Sequence, residues 1–450
     1  MKRRIIQLCS IIMAAAMLIS IAAADSSPQT ALDESLRQLA ADVPSPEFGT
    51  TAGEWTVLCL ARGAYYGTDS KYFSDYYSRI EKTVAETAAS VNQDGKLHKV
   101  KSTENSRLII ALSSIGRNAE NVAGINLVAP LDDFKWLTKQ GLNGPVFALI
   151  ALDSAGYDSQ VRQQCVDYIL SSQLSDGGWA LSGSVADPDM TAMALQALVT
   201  YRSNPAVESA AERGFSCLSS IQQENGGYSS WGSINSESIA QVIVACTAWG
   251  IDPNTDSRFV KNASAIDALM EYYVEDSRGF AHVLESTGGY SGGEVNCIAT
   301  DQACYALVSY VRFLNGQTSL YDMSDVSRYT EKNTGAENGT PEKNPDSPVS
   351  SPKPENNTAP DKAESPAASE APKPSAAADE SGSKRDKESV TAKKKKNAPK
   401  GKTIDEEANY DVNGDGVINA QDAVNSLNDG DAAFAEEILM WFVNGSVAQK

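Results

Sequence analysis

The sequence predicts an all-α fold in which a closed ring of inner helices is surrounded by outer ones. Three observations predict it. Apolar residues recur at helical spacing throughout residues 25–330. The helical stretches alternate between two kinds, one smooth and rich in small residues, the other amphipathic. Gly-bearing loops separate them at regular intervals, the mark of a repeat architecture.

The smooth set begins near Glu54, Glu104, Asn143, Asp189, Glu237 and Thr300. Its bodies read Trp55-Thr-Val-Leu-Cys-Leu-Ala, Arg107-Leu-Ile-Ile-Ala-Leu, Pro145-Val-Phe-Ala-Leu-Ile-Ala-Leu and Thr191-Ala-Met-Ala-Leu-Gln-Ala-Leu. Such helices are buried on most sides. The amphipathic set occupies 30–42, 72–90, 131–139, 159–173, 206–222 and 263–273, each with a solvent face. Six of each fit an α6/α6 toroid. An open stack of hairpins is the other arrangement, but it would need polar capping repeats, and none is visible.

The ends of the chain differ in kind. Lys2, Arg3 and Arg4 precede an apolar run from Ile5 to Ile21 and then Ala22-Ala23-Ala24, the pattern of a secretory signal peptide over 1–24. An uncleaved anchor is the rival, for which the run is short. No later stretch approaches a membrane span, so an extracellular, secreted chain is expected. Residues 331–402 hold ten of the eighteen prolines and no Leu, Ile, Met or aromatic residue. That composition predicts a disordered linker. Within it, the Lys393 to Lys396 tract reads as solvated linker.

Charge and composition exclude several functions. The net charge is −20, and residues 25–330 carry −16 of it. No basic face can offset that, so nucleic acid is not an expected partner. His98 and His282 are the only histidines and lie beside no nucleophile motif. After signal removal Cys59, Cys165, Cys217, Cys246, Cys297 and Cys304 remain, scattered singly in apolar helices. They read as buried thiols acting as small hydrophobes, with one or two bridges left open.

In a closed ring the starts of the six inner helices gather on one rim. Glu54, Glu104, Asn143, Asp189, Glu237 and Asp301 would then make an acidic mouth, with Asp187 beside Asp189. Paired carboxyl groups are what sugar-cleaving chemistry uses. Helix capping explains each of them singly. Tyr228, Trp231 and Tyr290 lie in Gly-rich loops and read either as stacking platforms or as hairpin packing.

The loops carry a resemblance. Gln173-Leu-Ser-Asp176-Gly177-Gly178-Trp179 and Gln222-Gln-Glu-Asn225-Gly226-Gly227-Tyr228 share one spacing, with a worn copy at Asp276-Ser-Arg-Gly279-Phe280. These resemble the repeats of the squalene/terpene cyclase and protein prenyltransferase superfamily. Asp187-Pro188-Asp189-Met190-Thr191-Ala192 resembles the acid motif of class II terpene cyclases, with Asp189 in the place of the catalytic acid and Met190 replacing the final aspartate. The same residues form an N-cap, Pro and first-turn acid at a helix start. The prenyltransferase resemblance would imply zinc held by Asp, Cys and a later His. No histidine follows Cys297, so no zinc is expected.

The segment 403–450 carries the sharpest motif. Asp411, Asn413, Asp415, Val417 (through its carbonyl), Asn419 and Asp422 occupy the ligand positions of an EF-hand-like calcium loop, with Gly416 at the turn and Ile418 as its apolar anchor. Asp at the last position resembles a dockerin. Dockerins have two loops, and the second would fall at Asn428-Asp429-Gly430-Asp431, out of register. An apolar helix is expected from Ala432 to Val443. The resemblance implies a bound calcium ion and a cohesin-type scaffold partner, as in cellulosome-like assemblies for polysaccharide breakdown. A tail that only caps its own chain is the rival. For the toroid three roles stand: glycan binding or processing, cyclase-like acid catalysis by Asp189, and non-catalytic capture of a ligand or protein, resembling the cobalamin carriers of the same fold.

Overall fold

The computed structural model describes residues 27–328, apart from 50, 92–94, 231 and 288–289. The signal segment, the linker and the calcium motif from Asp411 to Asp422 lie outside the described residues.

Six helices form the inner ring: α2 (Glu54–Arg62), α4 (Ser102–Ser114), α6 (Asn143–Ser154), α8 (Pro188–Leu198), α10 (Ser236–Ala248) and α12 (Cys297–Leu314). Each packs on the next, and α12 packs back on α2, so the ring closes. Outside it lie α1 (Pro28–Asp42), α3 (Lys71–Val91), α5 (Phe134–Leu137), α7 (Arg162–Ser171), α9 (Pro205–Ile221) and α11 (Ala265–Met270). The inner helices are buried nearly all round; in α4 every residue is buried. The all-α toroid that the repeats predict is the fold observed. Among the described residues no helix is long and apolar enough to cross a membrane.

Two outer elements depart from expectation. The stretch expected as one helix over 131–139 is a 3-10 turn (Ala129–Asp132), the short α5 and a second 3-10 turn (Thr138–Gln140). Asp133 leaves the helical region at ψ 83° and caps α5 by accepting from Trp136 N–H, which breaks the run. The last outer helix stops at Met270, and the chain turns into a two-residue antiparallel ladder in which Tyr273 faces Phe280.

The repeat motif has one physical job, done twice in the same way. Gln173 donates from Nε2 to Gly177 O (2.7 Å) and to Ala210 O on the next outer helix (2.8 Å). Gln222 donates likewise to Gly226 O (3.0 Å) and Phe259 O (2.9 Å). Each glutamine ties its own turn to the following hairpin. Gly226 sits at φ +82°, and a Cβ there would lie 2.2 Å from Ser264 O, so only glycine fits. The closing aromatics Trp179, Tyr228 and Phe280 are wholly buried. Thr191 and Thr300 clamp two of them through the backbone, each donating to and accepting from the aromatic residue's peptide. Tyr228 is therefore hairpin packing, not a platform for a ligand.

Among the described residues the cysteines are unbridged in this structure, and all but Cys297 are buried. Cys297 was expected inside a helical body; α12 begins three residues earlier than Thr300, which leaves Cys297 exposed in its first turn.

At the far end of the ring the chain after α12 folds back as a strap. Arg62 on α2 donates to Leu320 O, Thr318 Oγ1, Ser319 O and Asp322 O, and pairs with Asp325 at 2.7 Å. Arg312 on α12 pairs with the same Asp325. A cleft of ≈ 680 Å³ lies there, lined by Gln196, Thr247, Ser309, Phe313, Tyr321 and Asp322 among others.

Candidate functional site

The inner helices run parallel. Near their starts Thr56 on α2 bonds Asp301 on α12, and near their ends Arg312 bonds the Arg62 carbonyl. The six starts consequently share one rim. Glu54, Glu104, Asn143, Asp189 and Glu237 fall in the first turns of their helices and Asp301 at the start of the second turn of α12, but the rim is not one uniform acidic mouth.

On the α2–α4 side the acids are buried and compensated. Arg107 lies between two carboxyl groups. Its Nε donates to Glu54 Oε2 at 2.8 Å and its terminal nitrogen bonds Glu104. The Gly49 N–H reaches both Glu54 oxygens at 3.1 Å. Burial raises the Glu54 pKa, against the pull of Arg107. Burial alone would lower Arg107, but the Glu104 and Glu54 charges outweigh it and raise it. This triad is built into the wall.

Two further rim residues are closed off. Asn143 is 1% exposed. Asp301 is wholly buried, accepting from Thr56 Oγ1 at 2.8 Å, while its Oδ2 has no hydrogen-bond partner. Burial pushes the Asp301 carboxyl up to about 7.

The α8–α10 side is different. Asp187 is the N-cap of α8, accepting from Met190 N–H at 2.9 Å with Pro188 at the first helical position. Its other oxygen accepts from Ser230 Oγ at 2.7 Å. Asp189, one residue into the helix, is half-buried, with Oδ1 shielded from water and unpartnered. Desolvation and then the neighbouring Asp187 push its carboxyl well above the ordinary range, and Glu237 adds to this; the Ser238 and Ser230 hydroxyls pull the other way. No cation stands among these causes. Glu237 Oε2 lies 2.7 Å from His282 Nδ1 and accepts from Ser236 Oγ at 3.1 Å. The first turn of α10 holds the His282 segment in place, through Ser236 N–H to His282 O (3.1 Å) and Ser236 Oγ to Ala281 O (2.8 Å). The half-buried Tyr290 ring packs on His282, centroids 4.3 Å apart. Trp231 lies outside the described residues.

Aromatic and amide side chains of the inner helices meet one another. Trp55 from α2 stands 6.3 Å from Phe147 and 5.9 Å from Tyr305. Gln241 donates to Gln302 Oε1 (3.0 Å) and Tyr305 Oη (2.6 Å), and Gln196 donates to Gln241 Oε1 (3.0 Å). The floor beneath the α8–α10 carboxyl groups is therefore polar as well as aromatic.

Chemically, the arrangement offers a carboxyl group whose pKa is raised by burial and by neighbouring acids, beside a carboxyl–imidazole pair. Environments that hold one acid neutral next to a second titratable pair are what general acid–base chemistry requires. The capping account of Asp187 and Pro188 holds in full, and Asp189 does not serve as a cap. Sequence reasoning missed Arg107, Ser230 and the placement of His282. Arg107 did leave a signal, a lone charge in an apolar helix three residues after Glu104. Ser230 left none.

The chain is similar to solved structures and to one family model. The unsaturated glucuronyl hydrolase of Bacillus sp. GL1, described as responsible for the degradation of glycosaminoglycan, superposes with a TM-score of 0.44 at 14% identity, covering 66% of this chain and 99% of that one. A UGL variant with dGlcA-Glc-Rha-Glc gives the same values. No curated protein matches the chain. Residues 134–348 match the family model of the prenyltransferase alpha-alpha toroid domain, so the larger part of this ring is similar to that domain.

Proposed function

We propose that the α8–α10 rim is an acid–base site for a hydroxyl-rich ligand of the carbohydrate class. Asp189 is the proton donor, and Glu237 with His282 forms the accepting side. One observation carries this reading: among the described residues three carboxyl groups converge with no lysine or arginine paired to them and only His282 beside Glu237, although the same ring neutralises Glu54 and Glu104 with Arg107. Strongly perturbed acids without a structural counter-charge mark functional sites. The polar Gln241–Gln302–Tyr305 floor suits a hydroxyl-bearing ligand better than a prenyl chain. Tyr290 offers a ring face beside His282.

Cyclase-like acid catalysis is the second reading. Its support is the Asp187-Pro188-Asp189 motif and the same carboxyl group with its raised pKa. The substrate separates the two readings. A panel of neutral and acidic plant oligosaccharides, polyprenyl compounds and cobalamins is screened by thermal melting of the full chain. Stabilisation by an oligosaccharide supports the first reading and stabilisation by a polyprenyl compound the second. Stabilisation by a cobalamin, or by nothing, indicates a non-catalytic carrier or a protein-binding ring.

The rest of the proposal concerns address and attachment. The N-terminal pattern supports export. The oxygen ligands Asp411, Asn413, Asp415, Val417, Asn419 and Asp422 support a calcium-bound tail. A dockerin-like tail would attach the protein to a cohesin-type scaffold of a polysaccharide-degrading assembly. Calcium titration of the full chain and of Asp411→Ala tests the metal. Binding of the calcium-loaded chain to a cohesin module, reversed by chelation, tests the attachment.

A further inference from the structure

Cys59 on α2 and Cys304 on α12 face each other across the contact that closes the ring, where the last inner helix meets the first. Both are wholly buried. The Cys59 thiol donates to the Asp301 carbonyl at 3.2 Å, one turn before Cys304 on the same helix. Beside that contact lie the Cys304 thiol, which after burial does most to raise the Cys59 thiol pKa, and the Tyr305 N–H, which lowers it. The other cysteines lie elsewhere: Cys165 on α7, Cys217 on α9, Cys246 on α10, and Cys297 at the exposed start of α12. The site on α8 and α10 uses neither Cys59 nor Cys304.

We propose that Cys59 and Cys304 are a disulfide pair that locks the seam of the toroid. The bond would join the first inner helix to the last and so span nearly the whole ring. A cross-link of that reach restricts the unfolded chain more than a local one does. The oxidant is a small disulfide such as oxidised glutathione. One protein thiolate attacks it, forming a mixed disulfide and releasing one reduced glutathione. The second thiolate displaces the other. The protein loses two hydrogens and the glutathione disulfide is reduced to two thiols. Both sulfurs are buried once the ring closes, so exchange occurs while the seam is open, during folding. Afterwards the bond is shielded from reductant. In the cell this rests on the chain being exported to an oxidising compartment, but the chemistry can be tested without that step.

The full chain is reduced, unfolded and returned to native conditions in a mixture of reduced and oxidised glutathione. It is then alkylated in denaturant and mapped by mass spectrometry, with helical circular dichroism recorded on the same sample. The expected result is a linked Cys59–Cys304 peptide with label on Cys165, Cys217, Cys246 and Cys297. The oxidised protein melts higher than the reduced one, and Cys304→Ser melts like the reduced protein in either buffer. Label on both Cys59 and Cys304 in refolded protein overturns the proposal, as does a link from either to Cys297. If helical signal is not regained, protein isolated without reductant is mapped in the same way and judged by the same two outcomes. Export is read separately, from whether the mature chain begins at Asp25.

Discussion

The two sides of one rim use the same residue types to opposite ends. On α2 and α4, Glu54 and Glu104 meet Arg107 and are sealed into the wall. On α8 and α10, among the described residues, no lysine or arginine is paired with Asp187, Asp189 or Glu237, which meet hydroxyl groups, the Met190 N–H and one histidine. A buried carboxylate is costly unless it is paired, and if unpaired it takes up a proton instead. The first side therefore stores charge as structure. The second leaves carboxyl groups whose pKa values burial raises, the feature on which the proposed acid–base role rests. Position on a helix start does not separate the two; a paired arginine does.

The comparison can be broken at either side. The largest effect is expected at Asp189. Asp189→Asn should lower turnover of a responsive substrate by about 10²–10⁴-fold, the usual worth of a general acid, while leaving thermal stability at neutral pH unchanged or raised. Asn resembles the protonated acid, so the fold loses nothing it uses. Steady-state kinetics beside a melting curve checks both halves.

Arg107→Met is expected to do the reverse. It leaves Glu54 and Glu104 buried without a counter-charge and should cost about 3–5 kcal/mol of stability, read by denaturant unfolding. Activity per folded molecule should persist.

The third effect is a pH dependence. Asp301 titrates near 7 in the folded protein, well above its value in the unfolded chain. The folded state then binds the proton more tightly. Its contribution is fully present below about pH 4 and is lost as pH rises towards 7, on the order of 2–4 kcal/mol in all. Burial moves Asp187 and Asp189 in the same direction. Asp301→Asn should flatten this slope in unfolding curves taken across that range, and a slope unchanged by the substitution would remove Asp301 as its source.

The smallest effect is at Ser230. Ser230→Ala removes one hydrogen bond to Asp187 and should cost about 1 kcal/mol. It should also shift the acid limb of any pH–rate profile, because the Ser230 hydroxyl opposes the rise at Asp189.

Much of the fold was legible because its determinants are local. The Gln173 and Gln222 turns, the Asp187–Pro188 helix start and the small-residue inner helices each lie within a few residues of sequence. Ring closure was legible from the number of repeats. The chemistry of the rim was not, since it depends on which helix start faces which side chain. Arg107 reaches Glu54 across 53 residues and His282 reaches Glu237 across 45. Only the order of helices around the ring sets those pairings. The broken outer element at 129–140 was missed for a smaller reason: Asp133 caps a new helix where the apolar period alone continues one.

The most direct test is ligand-induced melting of the wild-type chain, of Glu237→Gln and of Glu104→Gln against the oligosaccharide panel. An oligosaccharide at 100 times its dissociation constant should add about 2.7 kcal/mol to the wild type. That gain should vanish in Glu237→Gln and survive in Glu104→Gln, whose own stability falls. A gain equally preserved in Glu237→Gln, or lost only in Glu104→Gln, would contradict the assignment of the α8–α10 side as the working half of the rim.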